Sequence, residues 1–374
     1  MAVTKEQVLE HLARIPGPDG TPLTSTGTLS DIVANDGKVF FSINVDAGAV
    51  QAWEPVRKRA EEAVRAIPGV QTAMIALTAE RKGGGAGAPG RPPAGPAARP
   101  RGGHGEQPIG VPGVTSIIAV ASGKGGVGKS TLSVNLALGL RDHGLKVGIL
   151  DADIYGPSLP KLLAIKEKPT TIGGTRLKPI QRHGLTVMSI GFLIEEETPM
   201  IWRGPMVISA LTQMLREVEW GTLDVMVVDM PPGTGDAQLT MAQQVPLKGA
   251  VIVSTPQDLA LIDARRGIAM FKRVNVPILG IVENMSYFVC PQCGTRSDIF
   301  GHGGARHEAE RLKVPFLGEV PLEMSIRETS DAGLPIVATK PDSPEAAAYR
   351  TIAGRVRDEL GAQTKTAPKI VIEA

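Results

Sequence analysis

Two cysteines in 374 residues rule out a disulfide framework, and they stand as a single close pair, Cys290 and Cys293. With no other thiol in the chain, that spacing points to metal or redox chemistry in a reducing compartment. Aromatic residues are scarce at 3%, so the core must be packed from Val, Ile, Leu, Ala and Met within a hydrophobic share of 42%. Charge of one sign is not in excess either. The net charge is +2 and no basic run interleaves with aromatics, which argues against a nucleic-acid partner. No apolar stretch reaches membrane-spanning length, and the segment Met1-Ala-Val-Thr-Lys-Glu6 has no signal-type apolar core. The expectation is a cytoplasmic protein with no membrane partner.

Against these absences stands a dense glycine motif. Gly123, Lys124, Gly125, Gly126, Val127, Gly128, Lys129, Ser130 and Thr131 follow the apolar run Ser116–Ala121 and precede the helical pattern Leu132–Leu138. This matches G-x-x-x-x-G-K-[ST] in the strand-to-helix context that the motif needs. The glycines let the backbone curl so that its amides face a polyphosphate, and the helix N-terminus adds positive potential. Lys129 then reaches the β- and γ-phosphates and Ser130 holds magnesium, so ATP with Mg2+ is the expected ligand. Replacing Lys129 is expected to remove a phosphate contact and nothing else.

At 374 residues the chain is long enough for two domains, one of about 250 residues. Residues 1–80 read as a small α/β unit. Thr4 caps a helix carrying Val8, Leu9, Leu12 and Ile15, with Gln7 placed to complete a capping box. Strands are expected at Leu29–Val33, Lys38–Val45 and Val70–Thr78, with a second helix at Gln51–Ile67. Residues 81–112, rich in Gly, Ala, Pro and Arg, have too little apolar surface to offset ordering and read as a flexible linker. As a coil it spans roughly 25–30 Å. Residues 113–360 form the large domain and 361–374 a tail. There the Val/Ile/Leu runs Lys146–Leu150, Leu185–Ile190, Asp224–Val228, Ala250–Ser254 and Ile278–Val282 alternate with helical patterns. That is the signature of a mostly parallel sheet covered by helices on both faces.

Further motifs close these strands, where an open parallel sheet binds its ligand. Asp151-Ala-Asp153 sets two carboxylates two residues apart. Val227-Val-Asp229 ends a strand as a magnesium-holding aspartate does, and Met230-Pro-Pro-Gly-Thr-Gly-Asp236 follows it. The Lys124 form of the glycine loop resembles the deviant Walker A ATPases, a family of dimeric switches. That resemblance implies a Lys124 that acts on the partner's phosphates across a homodimer. It also implies an Asp153 that orients the attacking water, an Asp151 in the magnesium shell, and a Gly233 whose amide meets the γ-phosphate. Asn284 is similar to the family's adenine-contacting asparagine.

Cys290-Pro-Gln-Cys293-Gly294 supplies two thiolates, half the shell of a tetrahedral zinc or an iron–sulfur cluster. Two copies on a two-fold axis supply four. A redox pair, and a zinc knuckle completed by His302 or His307, remain open readings at this point. The combination of the glycine loop, Asp153-Ile-Tyr-Gly-Pro-Ser158, Asp229-Met-Pro-Pro-Gly-Thr-Gly-Asp and Asn284-Met-Ser-Tyr-Phe…Cys-Pro-Gln-Cys-Gly resembles the Mrp/ApbC (Nbp35-like) iron–sulfur carriers. This implies a homodimeric ATPase that takes a labile [4Fe–4S] cluster from an assembly scaffold and hands it to apo-proteins. Residues 1–80 resemble the MIP18-like (DUF59) domain. Where that family carries Asp-Pro-Glu, this chain reads Pro16-Gly-Pro-Asp-Gly20. The rival is a MinD/ParA-type positioning switch with structural zinc, which predicts a basic amphipathic C-terminal helix. The actual end, Thr364-Lys-Thr-Ala-Pro-Lys-Ile-Val-Ile-Glu-Ala374, is broken by proline.

Overall fold

The computed structural model describes residues 3–30, 32–35, 37–46, 49–70, 72–80, 110–172, 176–193 and 204–364. The expected linker up to residue 109, and the tail from residue 365, lie outside the described residues. The chain divides into two units: Met1–Gln107 with Ile201–Ala210, and Pro108–Met200 with Leu211–Ala374.

In the first unit, helix α1 (Lys5–Leu12) opens on the anticipated capping box. The Gln7 amide donates to Thr4 Oγ1 at 3.4 Å, and the Thr4 amide donates to Gln7 Oε1 at 3.1 Å. Strands β1 (Val33–Asn35) and β2 (Lys38–Asp46) pair antiparallel, and helix α2 (Val50–Arg65) crosses over to β3 (Thr72–Glu80), parallel to β2. The expected Leu29–Val33 strand is only partly formed. Leu29 bridges Ile43, but the Ser42 amide is taken by Ser30 Oγ, so a side chain replaces a ladder carbonyl there. Val39, Phe41 and Ile43 alternate inward from β2 onto Val56, Ala60 and Val64 of α2, and Val8 and Leu12 of α1 join the same core.

The second unit runs in order through β4 (Val114–Ala121), α3 (Lys129–Asp142), β5 (Val147–Asp151), α4 (Leu159–Leu162), β6 (Thr171–Ile172), β7 (Arg176–Leu177), β8 (Ile180–Arg182) and β9 (Leu185–Ser189). Helix α5 (Gly204–Arg216), whose residues up to Ala210 are grouped with the first unit, β10 (Leu223–Asp229), α6 (Asp236–Gln244), β11 (Gly249–Ser254), α7 (Asp258–Arg273) and β12 (Ile278–Glu283) follow. The chain then makes β13 (Phe288–Val289), β14 (Arg296–Ser297), α8 (Gly304–Leu312), β15 (Phe316–Glu319), α9 (Met324–Asp331), α10 (Ile336–Thr339) and α11 (Pro344–Thr364).

Its main sheet has eight strands in the order β15-β12-β11-β4-β10-β5-β9-β8, all parallel except the terminal β8, which is antiparallel to β9. Strands β5 and β9 are buried throughout, as continuous apolar runs in a covered parallel sheet should be. At the far edge, Arg355 of α11 donates to the Leu317 carbonyl of β15 at 2.9 Å. Gly139 lets α3 and α11 approach closely, since a Cβ there would lie 2.8 Å from that of Ala353. From β4 the chain steps over β10 to reach β5, and from β10 it returns across β4 to β11. The order therefore reverses around β4, and the crevice beyond its C-terminal end is the expected ligand position.

Candidate nucleotide site and cysteine hairpin

The loop after β4 holds its shape because glycine occupies the positions that no other residue fits. Gly126 and Gly128 have φ of +81° and +80°. A Cβ on Gly128 would lie 2.2 Å from Asn284 Nδ2, and one on Gly123 would strike the backbone of Asp263 in α7 at 2.2 Å. Val127 is buried, whereas Lys124, Gly125 and Gly126 are exposed, and no ion pair engages Lys124 among the described residues. Thr131 lies in the first turn of α3 and its carbonyl accepts from Asn135.

The sheet register sets Asp229 beside both Asp151 and Val120. Lys129 Nζ donates to Asp229 Oδ1 at 2.7 Å and to Ser130 Oγ at 3.2 Å, and the ion pair is almost wholly buried, at 6% and 0% exposure. Ser133 Oγ donates to the same carboxylate oxygen at 2.7 Å. Ser133 lies one helical turn after Lys129, a spacing from which it could have been recognised. The other oxygen, Asp229 Oδ2, is buried with no partner among the described residues. A buried carboxylate oxygen left open, with the Ser130 hydroxyl on the same Lys129 ammonium, supplies oxygen donors of the kind a magnesium ion takes. ATP·Mg2+ therefore fits the residues present.

Asp151 is committed elsewhere. Its Oδ2 accepts from the amides of Ser158 at 2.9 Å and Leu159 at 3.1 Å and from Ser189 Oγ at 3.0 Å, while Oδ1 accepts from the Asp153 amide at 3.2 Å. Four donors tie this carboxylate to the start of α4 and to β9, so direct metal ligation would have to break them. The sequence expectation places it in the magnesium shell; the bonds here show it bracing α4 and β9. Burial, and then the negative charge of Asp229, push the Asp151 carboxyl up to about 7. Asp153 lies on the wall of an open cleft of about 380 Å3, facing Tyr155, Gly156, Pro231, Pro232 and Gln238. Burial holds its carboxyl above the ordinary aspartate range, against the opposing pull of Lys129. Gly233, on the far side, has φ of +103°, and its amide donates to the Ser122 carbonyl at 2.9 Å. That amide must exchange partners before it can meet a γ-phosphate.

Asn284 sits at the loop's base, buried, with Nδ2 donating to the Val127 carbonyl at 2.8 Å. Six residues on, Cys290 and Cys293 occupy the turn of the β13–β14 hairpin. The Cys290 amide donates to Thr295 O at 2.9 Å, and Gly294 closes the turn onto the Cys290 carbonyl at 2.8 Å with φ of +71°. Both thiols are free; Cys293 is exposed and lies 3.2 Å from Thr295 Oγ1. Hydrogen bonding by the Thr295 hydroxyl, then by its backbone, holds the Cys293 thiol below the ordinary cysteine value. Among the described residues, no group of three or more His, Cys, Asp or Glu side chains is set to hold a metal. His302, considered for a zinc knuckle, instead lies 3.3 Å from Arg296 and 3.4 Å from Asp298.

Residues 113–357 match the model of the NUBPL iron-transfer P-loop NTPases. The chain belongs to this family. Residues 5–75 match a second model, that of an iron–sulfur cluster assembly protein. The iron-transfer NTPase region is 56% identical over 254 residues to an iron–sulfur cluster transfer protein of Dictyostelium discoideum, covering 67% of this chain and 79% of that one. An iron–sulfur cluster carrier protein of Synechocystis is 42% identical over 364 residues, covering 96% of this chain and 98% of its own. Among solved structures, an ADP-bound nucleotide-binding protein of Archaeoglobus fulgidus superposes with a TM-score of 0.55. It is 40% identical and covers 63% of this chain and 91% of its own. The MinD ATPase of Pyrococcus furiosus shares the P-loop NTPase fold alone, at a TM-score of 0.50 and 24% identity over 65% of this chain and 98% of its own. No described helix is long and apolar enough to cross a membrane.

Proposed function

We propose that this iron-transfer P-loop NTPase is an ATP-hydrolysing iron–sulfur carrier. It receives a labile [4Fe–4S] cluster on Cys290 and Cys293 of two copies of the chain and delivers it to apo-proteins. The carrying observation is that one rim of one parallel sheet bears both a phosphate loop over the buried Lys129–Asp229 pair and a two-thiol hairpin whose Cys293 is exposed. One chain offers two thiolates where a cluster takes four, and a homodimer supplies the rest. The relatives' names, cluster carrier and cluster transfer protein, support the same cargo. Free thiols fit a reducing, cytoplasmic setting.

In the hydrolytic cycle, Lys129 leaves Asp229 to bind the β- and γ-phosphates. The freed carboxylate and Ser130 would hold magnesium, which would supply positive charge against the charge developing on the phosphates. Asp153, its carboxyl raised by burial, orients the attacking water from the cleft wall and is tuned to take its proton. Gly233 exchanges the Ser122 carbonyl for the γ-phosphate and returns after phosphate departs. Lys124, exposed and without an ion pair among the described residues, acts on the partner's nucleotide.

The test is anaerobic reconstitution with iron and sulfide, followed by iron and zinc analysis of the dimer. About four irons per two chains is the expected result. One zinc per two chains with no stable cluster would reduce the hairpin to a dimer clasp. In parallel, Lys124→Ala is expected to keep nucleotide affinity and lose turnover; equal loss of both would remove the role across the dimer.

A further inference from the structure

The chain joins the phosphate loop to the thiol hairpin by a short segment braced along its length. We propose that residues 283–287 form a rigid strut, with Asn284 as its positioning residue, through which nucleotide occupancy sets the geometry of the Cys290–Cys293 turn. The inference rests on reading that turn as the cluster site.

At one end the strut is bonded directly to the loop. Asn284 Nδ2 donates to the Val127 carbonyl at 2.8 Å across 157 positions of sequence, and its own amide is anchored to the Ser254 carbonyl of β11 at 2.8 Å. The glycine at 128 is what admits it, because a Cβ there would lie 2.2 Å from Asn284 Nδ2 and 3.6 Å from Met285 Cε. The Val127–Gly128 peptide thus gives its carbonyl to Asn284, while its N–H belongs to the loop whose amides face a bound polyphosphate. Binding phosphate on one side of that peptide polarises it and strengthens the bond on the other.

The middle of the strut is held on both flanks. Glu283, fully buried, accepts from Ser286 Oγ at 2.6 Å and from the Ala305 amide, at the start of α8, at 2.6 Å. Met285 turns the chain in the left-handed region at φ +54°, where a side chain is held only when its surroundings over-determine it. The Ser286 amide donates to the Val320 carbonyl at 3.0 Å, and the Leu322 amide to the Tyr287 carbonyl at 2.7 Å.

At the far end the hairpin is pinned back onto the strut. The Arg296 guanidinium stacks 4.0 Å over the Tyr287 ring and donates to Asp298 at 3.0 Å. A displacement at Val127 therefore reaches the thiols as a movement of one bonded body. The two states are supplied by Lys129, which pairs with Asp229 without nucleotide and with phosphates when nucleotide is bound. Linkage makes the effect reciprocal, so occupancy of the thiol turn must alter nucleotide affinity by the same factor.

The experiment uses the full apo chain and needs no cluster. Alkylation rates of Cys290 and Cys293 are measured by mass spectrometry, without nucleotide and with saturating MgADP or a non-hydrolysable MgATP analogue. Saturation is fixed for each variant by direct titration. The wild type is expected to change its rate about fivefold or more on nucleotide binding. Asn284→Asp, which replaces the donor by a carboxylate facing Val127 O, is expected to need more nucleotide and to lose the response at saturation. Tyr287→Ala, which unpins the hairpin outside the phosphate loop, is expected to bind nucleotide as the wild type does and to lose most of the response. A wild type whose thiols ignore saturating nucleotide overturns the strut. So does a full response retained in both variants. Iron analysis separates this from the carrier reading: a thiol response without cluster binding leaves the strut and removes the cargo, and the converse removes the strut alone.

Discussion

Beneath the phosphate loop the charged groups are buried and already bonded, Lys129 to Asp229, with Ser133 on the same oxygen, and Asp151 to four donors, and Lys124 alone of the loop's charges is exposed. At the thiol hairpin, two strands of two residues each carry a turn whose second cysteine is exposed. The first region is largely pre-organised, so that charge developing during phosphoryl transfer meets groups already in place once Lys129 and the Gly233 amide have exchanged partners. The second lies open to solvent, as a site that must load and release its cargo is expected to be. The difference teaches that one rim can hold both chemistries because the sheet fixes only the strand ends, leaving each loop its own packing.

The sharpest way to break this contrast is Lys129→Ala. Turnover is expected to fall roughly 100-fold or more, measured by phosphate release. The buried pair adds a second effect that the sequence did not disclose. Asp229 is left uncompensated, so the nucleotide-free protein should lose about 3–5 kcal/mol in denaturant unfolding. An unchanged midpoint would show that Asp229 finds another partner. Cys293→Ser should do the opposite, removing essentially all bound iron while moving unfolding by less than about 0.5 kcal/mol, as for an ordinary surface change. A large stability loss would mean that the hairpin braces the fold.

Gly128→Ala probes where the two regions meet. Its left-handed backbone costs a non-glycine residue about 1–2 kcal/mol, and the new methyl collides with Asn284. Nucleotide affinity in titration calorimetry should drop about tenfold or more. Unaltered affinity would show that the loop relaxes freely. The last test is a pH slope, spread over several units. Asp151 binds a proton more tightly folded, with its carboxyl near 7, than unfolded near 3.8. Its contribution is therefore complete at the acid end and is lost as pH rises from about 4 to about 7, by at most about 1.4 kcal/mol per unit. Unfolding of Asp151→Asn across that range should lack this slope; parallel curves would mean that Asp151 is already ionised at low pH.

Much of this was written locally in the chain. The Thr4–Gln7 capping box, the covered strands and the glycine loop each depend on residues within a few positions, and periodicity exposes them. What stayed hidden depends on distance or on competition. The Asn284–Val127 bond spans 157 positions, and no local pattern announces it. Asp151 reads as a magnesium-shell residue because two carboxylates end one strand. Only the fold adds that the amides of Ser158 and Leu159 and the hydroxyl of Ser189 hold it. Strand β15 escaped notice because its four residues include Gly318 and are too few for a period to register.

The ends of the large sheet carry a last consequence. One border is a three-residue strand running against its neighbour, and the other is a four-residue strand whose Leu317 carbonyl is taken by Arg355. Short, turned or capped borders offer no template on which a foreign strand can add. On the carrier reading proposed above, a second copy or a client is expected at the crevice rim instead of a sheet edge, where it would dock over the phosphates and the thiols together.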